Sequence, residues 1–261
     1  GAGAGDNHLK NIVRLGGSAS KLHLLLLLAA VNMDEQALTH LKALLESMVY
    51  YSTVNQIKTN ELERLYAQWC KQIREIHTDE ELTSFINNKI KPTISQWKVN
   101  NRSNFMRIGF DSMQQYRVKF ILARIIKYVD VRRKNGGDAS NVAEFYEGGI
   151  EIEHIMPQKY SAAYGISEDD YNAAKQRLGN LTLLEKTINA SIGDDAFASK
   201  PEAYRQSAYY LTRSIAQLDD VGQQTAINRM NQKLRSWSSW GPSLIEARQA
   251  ILYDLSEEIW S

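Results

Sequence analysis

The hydrophobic pattern of this 261-residue chain changes period once, and that change limits the folds open to it. From Asp6 to about Lys134, apolar residues recur three and four apart, as in Leu38, Leu41, Leu44, Leu45 and Met48, then Leu62, Leu65, Tyr66 and Trp69. Such spacing puts one apolar stripe on each helix. Thr59-Asn60-Glu61 and Thr78-Asp79-Glu80-Glu81 read as helix starts, with capping side chains before acids of the first turn. Pro92 reads as another boundary, and residues 113–134 (MQQYRVKFILARIIKYVDVRRK) as the clearest long helix. The segment NGGDASN, 135–141, is the strongest breaker. Beyond it, residues 149–155 alternate in strand fashion until Pro157, and 178–184 (LGNLTLL) read as a second strand. Short helices are expected over 169–177 and 186–192, and residues 201–261 return to helical spacing. Trp237, Trp240, Trp260 and the tyrosine-rich stretch 204–210 are expected in the core.

These readings give a mainly α protein in three parts. GAGAG at 1–5 reads as a linker or cloning scar, 6–134 as a helical domain, and 135–261 as a second domain. The longest apolar run, 24–31, is too short to span a bilayer, so no membrane segment is expected. A single cysteine, Cys70, excludes an internal disulfide and suits a reducing, cytoplasmic location. The net charge of +1 hides a local imbalance. Residues 101–134 carry nine basic and two acidic side chains, whereas 135–200 carry five basic and eleven acidic. A basic block beside an acidic module suggests that the block holds a polyanion.

Three short stretches carry the chemistry: Glu153-His154 at a strand end, Gly179-Asn180 opening the next strand, and Asn189 on a helix. Histidine has the unperturbed pKa suited to a general base near neutrality. Taken with the string IEHIMPQ…RLGNLTLLEKTINASIGDDAFASK, the order strand, loop, strand, helix resembles the ββα-metal motif of HNH endonucleases. More specifically, residues 150–200 resemble the C-terminal nuclease domain of GmrSD-type modification-dependent restriction and phage-defence enzymes, shared by SspE-like nickases. The helical stretch NFMRIGFDSMQQYRVKFILARI is similar to the segment that precedes the nuclease in such proteins.

The resemblance implies roles for named residues. His154 matches the general base that activates water, and Asn180 the middle Asn that braces the loop and orients that base. Glu153 and Asn189 match the metal ligands, with Glu151 an alternative to Glu153. Lys200 matches a phosphate-contacting lysine. Two hard oxygen ligands favour a single Mg²⁺ or Mn²⁺ ion over zinc. Glu153 and His154 point to opposite faces of an ideal strand, so convergence requires the strand to end or twist between them. From the basic block, Arg117, Arg124 and Lys127 are the expected contacts to the DNA phosphate backbone.

The expected function is therefore a divalent-metal-dependent, nicking DNA endonuclease of a restriction or phage-defence protein. The alternatives are a catalytically inactive DNA-binding module or a helical protein-interaction scaffold. The resemblance also implies an N-terminal NTP-binding sensor domain outside this chain; since one motif cuts one strand, a double-strand break requires a homo-oligomer or two separate events.

Overall fold

A computed structural model describes residues 4–17 and 21–261. The fold is mainly α, as its sequence pattern predicts, and divides into two compact units. One runs up to Phe105 and takes in Trp260–Ser261; the other is Met106–Ile259. The division falls after Phe105, ahead of the NGGDASN breaker, so the long basic helix belongs with the strands.

The first unit contains α1 (Ala4–Gly16), α2 (Leu22–Ala29), α3 (Glu35–Val54), α4 (Thr59–Ile73), α5 (Asp79–Phe85), α6 (Lys91–Lys98) and α7 (Asn101–Phe105). Residues 1–3 of the expected linker lie outside the described residues, and α1 already includes its last two. Thr78 starts α5 through a reciprocal capping box with Glu81. Thr59, by contrast, is the first helical residue of α4 and not its cap. Pro92 does not break the chain as expected. A π-helical turn, Ile86–Ile90, links α5 to α6, and the proline sits in the first turn of α6, where its missing N–H costs little. Inside this unit the buried carboxylate of Glu46 accepts from Asn11 (3.1 Å) and from the indole of Trp260 (3.1 Å). Trp260 also stacks on Tyr50 at 3.8 Å.

The second unit is built around α8 (Gln115–Arg132), close to the helix expected over 113–134. It is buried on nearly every side by Val118, Phe120, Ile121, Leu122, Ile125, Ile126 and Val129. Strands β1 (Ile150–His154) and β2 (Leu181–Glu185) then form a two-stranded antiparallel sheet, with Ile150 opposite Glu185 and His154 opposite Leu181. Between them lies α9 (Glu168–Gln176), capped by Ser167. The helices that follow are α10 (Lys186–Ile192), α11 (Pro201–Arg205), α12 (Tyr210–Ala216), α13 (Ala226–Asn231) and α14 (Pro242–Trp260). Trp237, Trp240, Tyr204, Tyr209 and Tyr210 are buried, as expected.

The second strand starts later than expected. Residues Leu178–Asn180 form a 3-10 turn, and pairing begins at Leu181. The cause is tertiary. α14 approaches so closely that a Cβ on Gly179 would lie 2.0 Å from the Ile245 carbonyl oxygen. Arg248, also on α14, donates to the carbonyls of Gly179 and Leu181, both at 2.8 Å, while Gln249 accepts from the Gly179 N–H at 3.2 Å.

Candidate active site

Asn180, the last residue of that turn, fixes the chain just beyond β1. Its Oδ1 accepts from the Met156 N–H (2.7 Å) and the Trp240 indole (2.8 Å). Its Nδ2 donates to the carbonyls of Met156 (3.0 Å) and Lys175 (2.9 Å). The Asn180 backbone carbonyl also accepts from Ile155. With its side chain fully engaged and 0% exposed, Asn180 acts on the site by holding residues 155–156.

His154 is the last paired residue of β1 and is 4% exposed. Its ring meets Phe110 edge-on, 4.8 Å between centroids, and its Nε2 is buried with no hydrogen-bond partner. Burial lowers its pKa to about 4, helped by the positive charges of Lys200 and Lys175 and opposed by Asp194. The imidazole is therefore neutral at pH 7, and no protein group engages its Nε2.

Glu153 has a different environment from the one its place in the motif implies. It is buried, and its Oε1 receives Lys200 Nζ at 2.7 Å and the Tyr204 hydroxyl at 2.8 Å. Lys200 also donates to the His154 carbonyl at 2.7 Å. Desolvation raises the Glu153 pKa, against the pull of Lys200 and Tyr204. Lys200 is 0% exposed, so the expected phosphate contact is corrected: a lysine closed off by a carboxylate and a carbonyl cannot meet DNA.

Asn189, in turn, meets Glu151 and not Glu153. Its Nδ2 lies 3.0 Å from Glu151 Oε2, with Lys186 Nζ at 3.8 Å from the other oxygen. Of the two carboxylates, Glu151 is thus the one beside Asn189, while Glu153 is engaged by Lys200 and Tyr204. β1 also stays regular through His154. Alternation keeps Glu151 and Glu153 on one face and His154 on the other, and the expected break between 153 and 154 is absent.

The basic block is largely consumed within the unit. Arg124 is 4% exposed and donates to the Ala139 carbonyl, which removes it from the expected DNA contacts. Lys127 pairs with Glu144 at 3.0 Å, Arg133 with Asp219 at 2.5 Å, and Lys119 donates to the Ile150 carbonyl at 2.8 Å. Arg117 is half-buried, its guanidinium 5.6 Å from the Tyr116 ring centroid. The charge imbalance along the sequence is thus in good part internal neutralisation across the fold.

Sequence reasoning missed Tyr204, Trp240, Arg248 and Gln249 as supports of the site. The available signal was Arg248-Gln249 interrupting the apolar face of α14 between Ile245 and Leu252; the polar ends of Tyr204 and Trp240 left none.

A family described as GmrSD restriction endonucleases, C-terminal domain, matches residues 96–255, well over half of the chain. The chain belongs to this family. The GmrSD-type domain is a nuclease domain of the restriction-endonuclease class, with DNA as the substrate that class implies. No curated protein matches the chain. Among the described residues, no helix is long and apolar enough to cross a membrane.

Proposed function

We propose that this GmrSD-type domain is a divalent-metal-dependent DNA endonuclease of the HNH kind, with His154 as general base. The observation that carries the reading is the His154 imidazole, neutral at pH 7, with a buried Nε2 that no protein group engages. A buried nitrogen left without a partner costs stability, and a role in taking a proton accounts for it. The order β1, β2, α10 and the bracing of residues 155–156 by Asn180 support the same reading.

Glu151 and Asn189 would hold the ion; because Glu151 stands on the face of β1 opposite His154, ion and base meet at one phosphate only if the end of β1 rearranges on binding. The two side chains are adjacent, Asn189 would turn its amide to offer Oδ1 in place of the Nδ2 that now meets Glu151, and the Glu151 side chain is 43% exposed, open to solvent and substrate. Among the described residues no group of three or more His, Cys, Asp or Glu side chains converges as a ligand set. A two-ligand site of this sort suits Mg²⁺ or Mn²⁺, which keep several waters, and not structural zinc. When bound, such an ion neutralises phosphate charge and lowers the pKa of water. That second effect matters for His154, because a base of pKa about 4 takes protons well only from acidified water.

His154 Nε2 then receives the proton as the water oxygen forms its bond to phosphorus and the P–O bond to the leaving sugar oxygen breaks. Lys200 holds Glu153 and the His154 carbonyl, keeping the end of β1 in place. Arg117 and Lys127, which keep partial exposure on α8, contribute backbone contacts to DNA. Each chain carries one motif and cuts one strand. The test is nicking of supercoiled plasmid by the folded protein in Mg²⁺ or Mn²⁺, with loss of activity on chelation. Nicking unaffected by chelator, or none with either ion, contradicts the reading.

A further inference from the structure

Four of the seven exposed large apolar side chains among the described residues fall between positions 24 and 31. Leu24, Leu25, Leu28 and Val31 are 43%, 50%, 69% and 64% exposed, while His23, Leu26 and Ala30 on the other side of the same segment are buried. Leu24 and Leu28 stand at i and i+4 of α2, the spacing of a helix-packing seam, and Val31 follows in the turn just beyond its end. α2 (LHLLLLLA) is thus apolar all round, yet only half covered. A helix of that composition belongs inside an interface.

We propose that this face pairs two copies of the chain, α2 against α2 in antiparallel, isologous contact. Two features select a second copy as the occupant. The first is charge. α2 has no charged residue, so it meets itself without repulsion. Exposed Lys21 stands at one end of the stripe, and exposed Asp34 and Glu35 at the other, beside a cleft lined by Asp34, Glu35, His40 and Asp79. Antiparallel pairing brings each Lys21 to the partner's acidic end, twice per dimer, as two-fold symmetry requires. The second is area. The four residues expose roughly 400 Å² per copy, the size of the main apolar patch of a monomer, which is often an interaction site. Two copies bury roughly 800 Å² of apolar core before the polar rim adds to it, which suits a reversible dimer. The inference goes beyond the nuclease reading and does not rest on it; a dimer would carry two nuclease domains per particle.

Sedimentation equilibrium of the whole chain over about 1–100 μM tests it. Concentration-dependent dimerisation is expected, with the dimer Kd raised at least about tenfold by Leu28→Glu, a substitution at a 69% exposed position that leaves the unit folded. Lys21→Glu is expected to weaken the dimer, and the swap Lys21→Glu/Glu35→Lys to restore it. Circular dichroism confirms that each variant is folded. A monomer throughout that range overturns the proposal and leaves the face to another occupant. So does a dimer indifferent to both Leu28→Glu and Lys21→Glu.

Discussion

Replacing Lys200 by Met removes the ammonium that faces Glu153 while keeping an unbranched apolar stem of nearly the same length. The Lys200 and Glu153 side chains are 0% and 6% exposed, and Nζ makes two 2.7 Å hydrogen bonds, to Glu153 Oε1 and the His154 carbonyl. The variant leaves a buried carboxylate with Tyr204 as its remaining side-chain donor. Breaking a buried pair from one side costs about 3–5 kcal/mol, a large share of a typical stability of about 5–15 kcal/mol. The loss depends on pH with a definite sign. Burial already raises the Glu153 pKa in the folded protein, and losing Lys200 raises it further. A carboxyl so raised favours the folded state at low pH, and that contribution is lost as pH rises through the folded pKa. Urea unfolding at pH 5 and pH 8, with hydrogen exchange read at β1 and β2, should therefore give the larger deficit at pH 8. Lys200→Met/Glu153→Gln removes both charges and should recover most of it. A Lys200→Met cost below about 1 kcal/mol, with a marked fall in DNA affinity, would restore the phosphate-contact role and refute the buried-pair account.

Three further outcomes are expected. His154 has its pKa lowered from 6.5 to about 4, so folding should lose up to roughly 3 kcal/mol as pH falls through that window; a denaturation series should show the loss in wild type and a flatter profile in His154→Gln. Gly179→Ala puts a Cβ 2.0 Å from the Ile245 carbonyl oxygen and should cost at least about 3 kcal/mol, measured by thermal unfolding. Glu151→Gln should weaken Mn²⁺ binding measured by calorimetry, whereas Glu153→Gln should act mainly on stability; the reverse pattern would return the ligand role to Glu153.

Local chemistry made much of this fold legible from sequence. The capping box at Thr78, the span of α8, the breaker at 135–141 and the start and end of α10 all follow from residues near one another in the chain. Long-range contacts decide the rest. LGNLTLL looks like one strand, but α14, about seventy residues later, closes on Gly179 and bends the first three residues into a turn. Arg124 and Lys200 look like surface cations, and only the fold brings Ala139 and Glu153 to them. Glu151 and Glu153 are indistinguishable by alternation, so the choice between them came from Lys200 and Tyr204 on α11 and its approach.

In the proposed mechanism His154 takes the proton in DNA cleavage. Single-turnover nicking of supercoiled plasmid, wild type against His154→Ala at equal Mn²⁺, tests it most directly. Loss of a general base predicts a rate lower by about 10²–10⁴-fold with the protein still folded. Equal nicking by the two proteins would contradict it.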